Sequence, residues 1–291
     1  MMKMIGGSKP SQLVLGFALL SIGSCTLAAT TWNFSTCNGT ASNQSATNAG
    51  TFGNSWSCAG ATGSNKVTVS AWGGANVTGS TGFQTAYASS QGGSGFGIAN
   101  RSEVIGVTAP NHAADNSPTS SVTPDIFVLK FDTAVTLGEV ALGWSQSDAD
   151  FTLMAYKGAV AGATVAAQMD SFVKTKNVTN LSTGGVGTGW ALIQNSGDAD
   201  LASAVGYAGS STVITRSVNS SNTSSSWWLI SAYNSSYGGG SLDALPDYMK
   251  LLSVASKNAP GGNVPEPGSI ALLGAGLLGL IATQKRRQKS I

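Results

Sequence analysis

Apolar and polar residues alternate in short bursts along the middle of the chain, and no stretch there carries a convincing helical period. Residues 65–72 (NKVTVSAW) place Val67, Val69 and Ala71 on one face. Residues 125–132 (DIFVLKFD) set Ile126, Val128 and Lys130 opposite Phe127, Leu129 and Phe131. Residues 134–144 (AVTLGEVALGW) carry Val135 and Leu137, then Val140, Leu142 and Trp144 as one row. Shorter strands are predicted at 31–34, 96–98, 104–107, 151–156, 189–193, 212–216, 227–233 and 248–255. The Gly, Asn, Ser and Asp clusters between them are turn chemistry. Many short strands so punctuated predict an all-β fold, a single antiparallel β-sandwich of jelly-roll type. One short helix is expected within 159–175, best over 160–169 (VAGATVAAQM). Residues 35–64 and 217–226 are polar and Ser/Asn-rich and read as long surface loops, partly mobile.

The two ends break this pattern. Lys3 and Lys9 precede an uncharged apolar run, residues 13–22 (LVLGFALLSI), and then the small residues Ser24, Cys25, Thr26, Ala28 and Ala29. That order is a secretory signal peptide over 1–29, cut after Ala28 or Ala29. The run is short of the ~20 residues a membrane span needs. Ile22-Gly23-Ser24-Cys25 also offers a loose lipobox, so lipid attachment at Cys25 is the rival reading. At the other end, residues 258–263 form a flexible linker. Val264, Pro265, Glu266 and Pro267 follow, then the apolar residues 268–283, predicted as a single membrane helix, then a basic cluster that includes Arg286 and Arg287. An apolar run closed by basic residues keeps its charges on the cytoplasmic side. The two prolines hold the tetrapeptide extended and remove two backbone donors, which suits capture by a processing enzyme.

The tetrapeptide, apolar helix and basic end, in this order over 264–289, resemble the PEP-CTERM sorting signal of exosortase-processed proteins. The resemblance implies that an exosortase recognises Pro265-Glu266-Pro267 and cuts there. It also implies transient anchoring in the inner membrane of a Gram-negative bacterium, and a cell-surface or matrix product associated with exopolysaccharide and biofilm. A second set of residues resembles one family of exosortase-dependent surface proteins. It comprises Trp32-Asn33-Phe34, residues 111–116 (NHAADN), 125–131, Val135-Thr136-Leu137, Leu142-Gly143-Trp144, 148–153 (DADFTL) and 247–254 (DYMKLLSV). This resemblance implies surface location and no known catalysis.

With the ends set aside, 228 residues remain over 30–257, enough for one large all-β domain or at most two small ones. Charged residues are 10% of the chain, well below the usual ~25%. The net charge of +2 is owed to the terminal segments, whose six Lys and Arg face one Glu, so the middle is near neutral or slightly acidic and carries no nucleic-acid patch. Once Cys25 is removed, Cys37 and Cys58 remain in an oxidising compartment and are expected to pair, stabilising by ~3 kcal/mol on the chain-entropy model. No cysteine–histidine cluster supports a zinc site.

Candidate chemistry is sparse. His112 is the only histidine and no G-x-S-x-G elbow accompanies it, so catalysis is not expected. Asp115, Asn116, Asp125, Asp148 and Asp150 form a set of hard oxygen donors at strand ends. In an extended backbone Asp148 and Asp150 point the same way, a pattern suited to Ca²⁺. Turn-capping is the competing role for these residues. Trp227 and Trp228 point to opposite faces of one strand, so one indole, with Tyr233 nearby, could stand outward and stack on a sugar; packing of both in the core is the alternative. The expectation is a non-catalytic exported surface protein without a resident cofactor. The runner-up is a carbohydrate-binding module with a structural Ca²⁺ site.

Overall fold

The alternating bursts become strands. The computed structural model describes residues 29–39, 53–61, 65–74, 83–101, 112–116, 124–158, 164–175, 189–197, 212–237, 242, 246–257 and 276. All but the last lie in one unit, Ala28–Ala259. In chain order the strands are β1 (Thr31–Asn33), β2 (Asn38–Gly39), β3 (Ser55–Ala59), β4 (Lys66–Gly74), β5 (Phe83–Ser90), β6 (Phe96–Ala99) and β7 (Ala114–Asp115). There follow β8 (Ile126–Val135), β9 (Leu137–Ser147), β10 (Phe151–Tyr156), β11 (Trp190–Ser196), β12 (Ile214–Ser217), β13 (Ser225–Ala232) and β14 (Asp247–Ser256). A single α-helix among the described residues, α1 (Val165–Thr175), lies between β10 and β11.

The ladders between these strands are antiparallel and follow the order β11-β10-β13-β8-β4-β5-β6-β14-β9-β12, with β3 on β4, β2 on β3, and β1 and β7 on β14. β5 turns the corner of this path: Phe83 to Ala86 pair with β4, and Tyr87 to Ser90 pair with β6. The sheet therefore doubles into two layers. Its far ends, β11 and β12, are joined by side chains rather than a ladder, which makes the fold nearly barrel-like. Gln194 Nε2 donates to Ser217 O (3.4 Å), Asn219 N donates to Gln194 Oε1 (3.1 Å) and Arg216 Nε donates to Gly197 O (3.3 Å).

Between the layers lies the larger core. Val67 and Val69 of β4, Phe127, Leu129 and Phe131 of β8, Leu153 of β10 and Trp228 and Ile230 of β13 meet Val140 and Leu142 of β9 and Met249, Leu251 and Val254 of β14. Trp32 sets its edge on Phe131 with centroids 4.8 Å apart, and Phe34 stacks on Phe96 at 5.5 Å. A second core lies outside the β8–β13 layer, where Ile126, Val128, Trp227, Leu229 and Trp190 pack under Met169 and Phe172 of α1. Burial on both faces explains why β8 begins as the unbroken apolar run Ile126 to Leu129 before reverting to alternation.

The helix starts later than the expected 160–169. Thr164 caps it: its Oγ1 accepts from Ala167 N (3.1 Å), and its carbonyl accepts from Gln168 N (3.1 Å). The loop expected at 217–226 is trimmed to 218–224 by the end of β12 and the start of β13, and hydrogen bonds fasten it. Asn219 is fully buried with φ of 59° and ties the segment together. Its Nδ2 donates to Leu137 O (2.9 Å) and Thr223 O (2.8 Å), while Lys257 Nζ donates to Asn219 O (2.6 Å) and Asn222 Oδ1 (2.7 Å). The expected loop 35–64 likewise contains β2 and β3, and Cys37 and Cys58 form a disulfide across 21 positions there. Among the described residues no helix is long and apolar enough to cross a membrane. Residues 1–28 of the leader and the sorting segment 264–289, apart from Gly276, lie outside the described residues, as does the strand expected at 104–107.

Candidate functional site

One end of the sandwich gathers the start of β14, the β9–β10 turn, and the residues beside β7 and β8. Asp148, Asp150 and Asp247 are 3%, 2% and 0% exposed, and each offers a carboxylate oxygen within 4.8 Å of the others. Strand pairing produces this meeting, because Asp148 bridges to Asp247 and Asp247 stands opposite Ser147 at the end of β9. Asp247 Oδ1 accepts from Asp150 N (2.8 Å), and Asp148 Oδ1 accepts from Ala149 N (2.7 Å). Asn116 fastens the group from a third element. Its Nδ2 donates to Asp247 Oδ2 and to Tyr233 O (2.8 Å), and its Oδ1 accepts from Asp247 N (2.8 Å).

Of the expected oxygen set, Asn116, Asp148 and Asp150 come together here, whereas Asp115 and Asp125 stand outside the carboxylate group. Asp115 O accepts from Asp125 N (2.8 Å), and Asp125 Oδ1 accepts from Asn100 Nδ2 (3.4 Å), so these two brace the neighbouring strand ends. Asp247 was not among the expected ligands. It leads a strand just as Asp125 does, but only the long-range pairing of β14 with β9 carries it to the β9–β10 turn.

Three buried carboxylates this close repel one another when ionised. Each pair costs roughly 3 to 4 kcal/mol at an effective dielectric of about 20. A hydrogen bond to a charged acceptor returns only about 1.5–3 kcal/mol. A hard cation, or protonation, is the physical remedy, and an all-oxygen set of carboxylates suits Ca²⁺.

The aromatic expectation changes. Trp227, Trp228 and Tyr233 are 2%, 0% and 5% exposed, so no indole stands outward. β13 is covered on both faces: Trp228 enters the core between the layers and donates Nε1 to Ser225 O (2.9 Å), while Trp227 enters the core under α1. Tyr233 OH accepts from Leu242 N (2.9 Å). These rings hold the fold.

An exported-type β domain with one disulfide is thus followed by a separate C-terminal signal. Residues 263–287 match the family model of the PEP-CTERM protein-sorting motif. That motif is the substrate signal for exosortase, and it marks the chain as an exported cell-surface protein. No curated protein and no solved structure matches the chain.

Proposed function

We propose that this is a non-catalytic surface or matrix protein of a Gram-negative bacterium, anchored briefly in the inner membrane and passed by an exosortase to the exopolysaccharide of a biofilm. The observation that carries the reading is the sorting motif at 263–287. Its placement supports the reading too. Seven positions separate Lys257, whose N donates to Thr136 O (2.8 Å), from Val264. Fully extended, such a tether spans at most about 25 Å, so an enzyme in the membrane would cut close to a folded domain. The test is cell fractionation with Pro265→Ala and Glu266→Ala variants of the full chain. The reading expects both to accumulate at the inner membrane while wild type reaches the surface. Equal surface delivery of wild type and both variants would overturn it.

A second reading is favoured by the buried Asp148, Asp150 and Asp247 group: a carbohydrate-binding module stabilised by Ca²⁺. Saturation at about a hundred times Kd would stabilise the domain by about 2.7 kcal/mol. For a domain of this size that raises Tm by about 5–10 °C. Calorimetry with Ca²⁺ and with a chelator checks this, and Asp247→Asn is expected to abolish the difference. Identical melting under both conditions contradicts the Ca²⁺ role.

A further inference from the structure

On the outer face of the β9–β14 layer, Tyr248 and Lys250 are half exposed while their neighbours Met249 and Leu251 face the core. β9 reaches this face through a bulge. Lys250 stands opposite Trp144, but Leu251 stands opposite Leu142, so Gly143 is the extra residue. The bulge reverses the alternation that would put Trp144 in the inward row with Val140 and Leu142. Trp144 joins neither apolar cluster and lies instead under the Lys250 ammonium, 4.6 Å from its ring centroid. Bulges re-aim side chains in this way and recur beside functional sites. Gly143 also admits a wall: a Cβ there would come within 2.6 Å of Ser94 O, in the loop of residues 91–95.

That loop brings Gln91 to the cation, with Lys250 Nζ donating to its Oε1 at 3.5 Å. Gln146, half exposed, stands opposite Tyr248. His112, with φ of 72°, borders the same face, and burial together with the charge of Lys250 lowers its pKa. Burial also lowers the pKa of Lys250, and no carboxylate among the described residues forms an ion pair with it. Asp247, on the same strand, is turned to the interior. The result is a half-buried ammonium with no ion-pair partner among the described residues, set against an aromatic ring and the Gln91 amide, with the Gln146 amide on the same face.

We propose that this face binds a carboxylate-bearing sugar of an acidic polysaccharide. Lys250 Nζ takes the carboxylate, the amides of Gln91 and Gln146 take hydroxyls, and the Tyr248 ring supplies a stacking surface. A polyanion read through its phosphates calls for several cations, whereas this face offers one compact ammonium. Repeating uronate units add avidity through rebinding along the polymer. The site rests on the matrix reading above and gives it a ligand class.

The experiment titrates mature protein from native cells with an oligogalacturonate, its neutral methyl ester and a sulfated oligosaccharide, at low and physiological salt. The oligogalacturonate is expected to bind most tightly, with affinity falling as salt rises. Lys250→Met and Tyr248→Ala should each weaken it by about tenfold or more, while Lys250→Arg retains most of it. Thermal melting checks that each variant is folded, and only folded variants are compared. Unchanged binding by Lys250→Met, equal binding of the methyl ester, preference for the sulfated oligosaccharide, or no binding at all each overturns the site. None of these outcomes touches the sorting reading, which is scored on residues 264–267 in cells.

Discussion

On the outer face of the β8–β13 layer, Ile126, Val128, Trp227 and Leu229 pack beneath Met169 and Phe172 of α1, whereas on the outer face of the β9–β14 layer Tyr248, Gln146 and Lys250 stay half exposed. Both layers send their other face into the same central core. The difference therefore lies in what covers them. A helix over one sheet turns every second residue into packing, so its aromatic rings serve stability. Over the β9–β14 layer no described helix packs, and the Tyr248 ring, the Lys250 ammonium and the Gln146 amide keep partial contact with solvent. An indole in the sequence carries no label for which of these it will do. Trp227 is covered by α1, and Trp144, buried as well, is turned under Lys250 by a one-residue bulge.

The comparison breaks most easily at Phe172, which contacts Phe83, Trp190 and Tyr237. Phe172→Ala should destabilise by about 3–5 kcal/mol in denaturant unfolding, while Tyr248→Ala on the open face costs no more than about 0.5–1 kcal/mol. Similar costs for both would erase the distinction between a structural and a recognition face. Asn219 sharpens it at the opposite end of β14 from Asp247. Removing its amide leaves Leu137 O and Thr223 O without that donor, so Asn219→Ala should cost about 1–3 kcal/mol by the same measurement. The smallest effect belongs to His112. Burial and the charge of Lys250 hold its folded pKa below the ordinary histidine value of about 6.5, so the unfolded chain takes up its proton first and stability falls as pH drops below about 6.5. His112→Gln should flatten that part of the profile, and an unchanged slope would remove His112 as its source.

What could be read ahead of the structure was local. The sorting segment is contiguous, so tetrapeptide, apolar run and basic end declare themselves without a fold. The disulfide follows from two cysteines left in an exported chain, and β4, β8, β10, β13 and β14 follow from alternation or apolar runs of β-branched and aromatic residues. What escaped was set by distant partners. β5 (FQTAYASS) has small residues at Ala86 and Ala88 where the core is tight, so its alternation is weak. α1 is displaced because the capping hydrogen bonds of Thr164, rather than apolar spacing, choose its first turn. The segment 217–226 reads as a loose polar stretch, yet Asn219 turns it into a hydrogen-bonded knot that includes Lys257. At the acidic end, Asp148 and Asp150 were visible as an i, i+2 pair, but the third carboxylate, Asp247, arrives from 97 positions beyond Asp150.

The most direct trial of the account is intact-mass and C-terminal peptide analysis of the protein purified from the surface of native cells. The account predicts a chain that ends within or next to Val264-Pro265-Glu266-Pro267 and lacks Arg286 and Arg287. A surface product that still ends at Ile291, in cells shown to possess the processing enzyme, would contradict it.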